Sequence, residues 1–300
     1  MKATDIKMLD LSRLRELVEV PSVEDDLLIF QDMQLIPELN GPRRMNYLAI
    51  GICSEGGATY TVNQKPVKVG KNDALILTEG QVVDNISISE DCKGLLCLIS
   101  YPFLYEIVKD VQNLSTLFLL ARRHPVFAVQ QKDIVNMREY MQLILRRIAT
   151  GDYRFRKDVI RMLLVTMIYD LGDTFYRVLG TDQDTGYTTR AEQIFVHFLQ
   201  LVEHHFVQER RVSWYAEQMG ITPKYLSETV SGISKHSPND WIERYVTTEI
   251  RNQLRKTTKK ISQIAKDMNF PNQSFLGKYF KENVGMSPSD YRKQGKEIGK

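Results

Sequence analysis

Asn272, Gln273 and Lys278 are spaced to share one side of a short helix near the carboxyl end of the chain. A side-chain carboxamide bonds the adenine edge bidentately in the major groove of DNA, and an ammonium reaches guanine or a phosphate. Ser274 and Gly277 belong to the same exposed side, while Phe275, Leu276, Tyr279 and Phe280 are expected to be buried. A second set of the same kind lies upstream: Thr222, Lys224, Tyr225, Ser227 and Glu228, with Leu226 and Val230 facing inward. Arg244, Arg251, Lys281 and Arg292 are expected at phosphates rather than bases.

The elements that must hold these residues are legible from capping and turn residues. Ser213 reads as the N-cap of a helix running to Met219, and Gly220 supplies the turn. Thr222-Pro223 then opens the next helix, with Pro at the first helical position, where its missing N–H costs nothing. Pro238 starts a longer helix through Trp241, Ile242, Tyr245, Ile250 and Leu254. A further short helix carries Ile264, Ala265 and Met268 on one face, stops near Asn269, and is followed after Pro271 by the helix bearing Gln273. Each pair is a helix-turn-helix, whose second helix projects. The connector from Pro238 to Leu254 spans about 26 Å if helical, enough to set two reading helices about one DNA turn apart, roughly 34 Å.

The stretch from about 191 to 293 resembles the DNA-binding domain of the AraC/XylS family of bacterial transcription regulators. The resemblance rests on Tyr215-Ala216 with Gly220, Thr222-Pro223-Lys224-Tyr225-Leu226-Ser227, Ser237-Pro238 with Trp241-Ile242, and Ile264-Ala265. It continues through Phe270, Gln273-Ser274-Phe275, Phe280-Lys281 and Gly285-Met286-Ser287-Pro288 with Tyr291-Arg292. Three positions depart from the family pattern. Glu228 stands where relatives carry a basic or neutral residue, Lys235 at a usual glycine, and Asn269 at the usual turn glycine. The resemblance implies promoter DNA as partner, a homodimer, contact with RNA polymerase, and a cupin-type effector domain ahead of the DNA-binding domain.

The preceding residues fit that organisation. From Met45 to about Ile99, short runs rich in Val, Ile, Leu and Tyr alternate with turn residues: Tyr47–Cys53, Thr59–Val62, Val67–Val69, Ala74–Leu77, Ile86–Ile88 and Leu95–Ile99. Such spacing predicts a small barrel or jelly roll. A helical hairpin follows over about 133–179, broken at Gly151-Asp152, with Val159, Met162, Leu163, Thr166, Met167 and Leu171 along one side of its second helix. Its apolar positions exceed what two isolated helices hide, so one face must pack on the barrel or on a second subunit. The expected fold is thus α+β in two domains. Residues 1–179 form a cupin-like β-barrel with its hairpin, 180–189 a polar linker, and 190–300 an all-α double helix-turn-helix domain. Tyr47, Tyr60 and Ile76 are the candidate effector contacts inside the barrel.

Charge divides in the same way. From residue 190 onward there are 18 Lys and Arg against 12 Asp and Glu, leaving 22 basic and 25 acidic residues before it. A basic carboxyl-terminal part on a mildly acidic remainder suits a DNA reader joined to another module.

Other chemistry is poorly served. Of the five histidines only His124 precedes the linker, beyond the expected strands, so a His-rich metal site cannot be assembled in the barrel. Gln81-Val82-Val83-Asp84 follows the Gly80 turn and offers no imidazole. His204 and His205 point about 100° apart on a helix and chelate poorly. Neither a glycine-rich phosphate loop nor a Ser/His/Asp arrangement is visible, and Asp25-Asp26 and Glu90-Asp91 read as surface charge. The expectation is a protein without cofactor or metal that is no enzyme. Cys53, Cys92 and Cys97 lack paired zinc spacing and suit a reduced cytoplasm. The first fifteen residues lack the apolar core of a secretory signal, and no apolar run reaches the roughly 18 residues of a membrane span. Two rivals stay open: a barrel that regulates through protein partners only, and a barrel enzyme with a helical interaction tail.

Overall fold

The computed structural model describes residues 6–39, 41–107, 114–150, 154–179 and 189–297, in two compact units, residues 1–187 and 188–300. Gly151-Asp152 and all but the last residue of the expected linker 180–189 lie outside the described residues.

The first unit runs β1 (Lys7–Leu9), α1 (Leu11–Leu17), β2 (Ser22–Val23), β3 (Leu27–Asp32), β4 (Arg43–Met45), β5 (Tyr47–Glu55) and β6 (Gly57–Val62). It continues with β7 (Lys65–Gly70), β8 (Asp73–Leu77), β9 (Val82–Ile88), β10 (Lys93–Ser100), α2 (Tyr101–Ile107), α3 (Leu114–Arg123), β11 (Val126–Ala128), α4 (Gln131–Ala149) and α5 (Arg156–Leu179). Among the described residues the strands form two sheets, ordered β1-β4-β9-β6-β7 and β11-β8-β5-β10-β3-β2. Only the β1–β4 pairing in these sheets is parallel.

The six-stranded sheet is buried on both faces, which is why its strands read as continuous apolar runs rather than alternating ones. Successive side chains still take opposite sides. Leu28, Phe30, Tyr47, Ala49, Leu77 and Leu98 join the core between the sheets, with Tyr60, Val62, Val69 and Val83 of the other sheet. Their neighbours Leu27, Ile29, Leu48, Ile50, Ile76 and Ile99 face the helices and pack with Met137, Met141 and Ile144 of α4 and Leu164, Met167 and Leu171 of α5. The hairpin therefore covers the outer face of a sheet. Its second helix is turned from the expected orientation: the buried stripe is Ile160, Leu164, Met167, Ile168, Leu171 and Phe175, while Met162 is 65% exposed and Thr166 exposed. Asp133 ties the hairpin together. It caps α4 by accepting from the Gln130 amide and also accepts from Thr174 Oγ1 and from Arg177 Nη2 at 2.7 Å.

The second unit is helical: α6 (Arg190–His205), α7 (Val212–Gln218), α8 (Pro223–Ser234), α9 (Pro238–Lys256), α10 (Ile261–Asp267), α11 (Gln273–Val284) and α12 (Pro288–Glu297). At 1.5 Å per residue α9 is about 28 Å long, and it packs against α6, α8, α10, α11 and α12. Trp241, Ile242, Val246, Ile250 and Leu254 form its buried side. One shared helix thus supports both halves of the unit.

Candidate nucleic-acid interface and the cavity between the sheets

The second unit is built twice, with a period of about 50 residues. The turn after α7 is closed by the Ile221 amide on the Ala216 carbonyl at 3.0 Å, and the turn after α10 by the Phe270 amide on the Ala265 carbonyl at 2.8 Å. Both turns need a left-handed residue, supplied by Gly220 (φ 64) and Asn269 (φ 51). Leu226 and Leu276, and then Val230 and Phe280, anchor the two projecting helices in the core. Each of those helices ends in a left-handed cap, Lys235 or Gly285, followed by Ser-Pro and an Asp three residues after the Ser. Ser237 exchanges capping bonds with Asp240, and Ser287 Oγ lies 2.6 Å from Asp290. Trp241 and Tyr291 close the repeats, each edge-on to a phenylalanine, Phe195 and Phe280 respectively.

The starts of α8 and α11 are capped alike. Thr222 Oγ1 accepts from the Tyr225 amide at 3.2 Å, and Asn272 Oδ1 accepts from the amides of Ser274 and Phe275 at 2.9 and 3.1 Å. Asn272 thus caps its own helix. The bidentate adenine contact expected of it would undo the cap, because the same oxygen serves both. Gln273 is exposed with its carboxamide clear of any cap, and Ser274, Lys278 and Lys281 are exposed beside it, with Gly277 half-buried. On α8, Lys224, Tyr225 and Glu228 are exposed and Ser227 half-buried. Lys224–Glu228 and Lys278–Glu282 are loose surface pairs at 3.9 Å, worth little and easily exchanged for phosphate.

Of the expected phosphate contacts, Lys281 alone is fully exposed. The other three are half-buried and brace the unit. Arg244 reaches the His236 ring and lies 5.4 Å from the Trp241 ring centroid. Arg251 sits over Tyr291, and Arg292 donates to the Leu254 carbonyl. Two expectations about the helices are corrected. Ser213 lies inside α7, whose N-cap is Arg211 without a side-chain cap bond. Just ahead of the helix the Glu209 carboxylate takes the Arg210 and Arg211 amides at 2.9 and 3.0 Å. Phe275, expected in the core, is 59% exposed. It neighbours the buried Leu276, and a helical apolar stripe does not reveal from sequence which of its edges is left uncovered.

The first unit holds a partly open cavity of about 140 Å³ between its sheets. Tyr47, Tyr60, Met45, Leu77 and Leu98 help line it, with Arg43 and Lys93 the charged residues of its wall. The Tyr60 hydroxyl is buried without a protein partner, and burial pushes its pKa up. Ile76 does not reach this space. Leu75 and Leu77 take the inner side of β8, so alternation turns Ile76 toward the helices. Gln81 closes the turn after β8 by accepting from the Thr78 amide at 2.6 Å. Cys53 and Cys92 are free thiols on the cavity wall, and burial, then Cys92, pushes Cys53 up to about 11. Among the described residues no cluster of three or more His, Cys, Asp or Glu is arranged for a metal ion, and no helix is long and apolar enough to cross a membrane.

Residues 215–294 match the family described as a helix-turn-helix domain. No curated protein matches the chain. Among solved structures, the C-terminal domain of AraT, a response regulator from Geobacillus stearothermophilus, is 24% identical, with a TM-score of 0.34, over 35% of this chain and 88% of its own. An apo variant of ToxT from Vibrio cholerae is 13% identical, with a TM-score of 0.36, over 89% of this chain and 97% of its own. Wild-type ToxT with a bound unsaturated fatty acid is 12% identical, with a TM-score of 0.33, over 89% and 93%.

Proposed function

We infer that this chain, which carries an AraC-type helix-turn-helix DNA-binding domain, is a transcription regulator that reads promoter DNA through α8 and α11 in successive major grooves. The observation that carries the reading is the repeat itself. Two helices with the same cap and the same exposed first turn are mounted on one shared helix, α9. Gln273 is the adenine reader, and Lys224, Ser227, Ser274 and Lys278 share the remaining base and phosphate contacts. Lys281 neutralises a phosphate.

The test is selection of a binding site from random duplex DNA with the full chain, followed by salt titration. Gln273→Ala relaxes preference at one position by about 1–3 kcal/mol, and Lys281→Ala weakens all sequences alike and lowers the salt slope by about one. Recovery of no motif would refute the reading.

The first unit is the sensing and pairing module, acting on the DNA-binding domain from the cytoplasm, with RNA polymerase as the downstream partner. The cavity favours an effector that is mainly apolar and carries one hydrogen-bond acceptor for Tyr60. An engineered apolar cavity of about 150 Å³ holds benzene, which sets the scale of the ligand. Thermal shift against neutral monocyclic carbonyl compounds, repeated with Tyr60→Phe, tests it: stabilisation that Tyr60→Phe abolishes is the expected result. Exposed Val135 and Leu143 on α4 and Met162 and Tyr169 on α5 support pairing of two copies through the hairpin. Met162→Asp with Tyr169→Asp is expected to shift the sedimentation from dimer to monomer.

A further inference from the structure

Among the described residues of the second unit, the exposed large hydrophobic side chains are two: Tyr225, 40% exposed, and Phe275, 59% exposed. They are 50 positions apart and occupy the same place, three residues after the N-caps Thr222 and Asn272, which bond their amides. Every other large apolar side chain of the repeat is at least partly covered, and the anchors Leu226, Leu276, Val230, Phe280, Trp241 and Tyr291 are buried. An aromatic ring left in water at one position is ordinary. The same exposure at both equivalent positions of an internal repeat, on the first turn of each projecting helix, points to one shared use.

Chemistry narrows that use. Phe275 has no hydrogen-bonding group, so it serves neither a phosphate nor a polar base edge. Lys278 and Asn272 are its neighbours three residues away on the same face, so the ring lies within the surface that would meet the bases. The one apolar group displayed in the major groove is the 5-methyl of thymine. We propose that Phe275 and Tyr225 are specificity-determining residues that read thymine methyl groups, one in each of two successive grooves. The inference rests on the reading that α8 and α11 enter the major groove. It adds to it an apolar contribution, independent of salt, beside the polar one of Gln273 and Lys278.

The test uses the full chain and the duplex that it selects. Each thymine is replaced singly by deoxyuridine, which keeps the pairing and every polar edge and removes only the methyl. The wild-type chain is expected to lose about fourfold in affinity at one thymine in each half of the site, the loss expected for one buried methyl group. Phe275→Ala is expected to bind the deoxyuridine and thymidine forms alike at one of these positions, and Tyr225→Ala at the other. Tyr225→Phe keeps the sensitivity, and Gln273→Ala keeps it at both. Uniform indifference of the wild-type chain to deoxyuridine would overturn the proposal while leaving groove reading in place. So would an equal loss in Phe275→Ala, which assigns the rings to another partner such as a protein surface. If no motif is selected at all, groove reading fails and this inference goes with it.

Discussion

The guanidinium of Arg210 lies 4.0 Å from the centre of the Phe270 ring. The two residues belong to opposite halves of the repeat. Arg210 leads into α7, and Phe270 follows the turn after α10. The same guanidinium donates to the carbonyls of Met268 and Asn269, while Asn269 Nδ2 returns a bond to the Gln208 carbonyl at 3.0 Å. One arginine thus stitches the first half to the turn that aims the second reading helix. Arg210→Ala removes a stacked cation and its bonds to the Met268 and Asn269 carbonyls, and is expected to destabilise the second unit by about 2 kcal/mol. Arg210→Lys should recover little, since an ammonium neither stacks as a plane nor forks between two carbonyls. Urea unfolding followed by the fluorescence of Trp214 and Trp241 checks it, and full rescue by lysine would contradict the stacking argument.

Lys235 closes α8 in the left-handed region at φ 63, where its counterpart in the second half is Gly285 at φ 84. A side chain at such a φ costs roughly 1–2 kcal/mol that glycine avoids. Its head group bonds only the exposed Gly232 carbonyl. Lys235→Gly is expected to stabilise the unit by about 0.5–1 kcal/mol, net of the freedom that glycine adds to the unfolded chain. An unchanged or lower urea midpoint would mean that the lysine contributes more than its backbone costs.

How far the sequence could be read depended on where the controlling contacts lay. Thr222-Pro223 and Ser237-Pro238 cap their helices with neighbouring side chains, so both starts were legible. Asn269 takes the left-handed turn expected of it. Glu209 binds the Arg210 and Arg211 amides just ahead of α7 and no side chain caps the helix itself, so Ser213 is a plausible but misplaced cap. Ile76 and Leu77 are both apolar because their sheet is covered on both faces, so composition could not say which faced the cavity. The hairpin posed a similar problem. Met162 and Met167 fit the same apolar stripe, and only packing on the sheet decided that Met167 is buried. β11 is too short to carry a local signal, and the four-residue apolar run Leu117-Phe118-Leu119-Leu120 within α3 suits a strand as well as a helix.

Asn272 and Gln273 are adjacent carboxamides with separable roles. Asn272→Ala deletes the cap of α11 and is expected to cost about 1 kcal/mol of stability, with any loss of DNA affinity spread across sequences. Asn272→Asp or Asn272→Ser should restore the stability, because either side chain caps a helix. Gln273→Ala, at an exposed site, should leave stability within about 0.5 kcal/mol and change base preference at one position. Unfolding curves with binding to single-base variants of the selected site separate the two. A stable Asn272→Ala chain with altered base preference would return Asn272 to the reading surface.

Glu209 supplies the remaining prediction. Its carboxylate accepts from Arg211 Nη2 at 2.6 Å and Nε at 2.9 Å, and from the Arg210 and Arg211 amides. These donors, Arg211 first, hold its pKa at about 2 against an ordinary 4.5. The folded chain therefore keeps the charge at acidities where the unfolded chain has already taken up a proton. The contribution to stability is complete above about pH 4.5, shrinks as the pH falls, and is lost near pH 2. Glu209→Gln is expected to lower stability by about 1 kcal/mol at pH 7, the upper scale for an ion pair with an exposed arginine. Its difference from the wild-type chain should be the same at pH 7 and pH 5.5, and should narrow progressively between pH 4.5 and pH 3. Urea midpoints of both chains across that range are the measurement. A difference that holds constant down to pH 3 would show that the side chain acts through its shape and not through its charge.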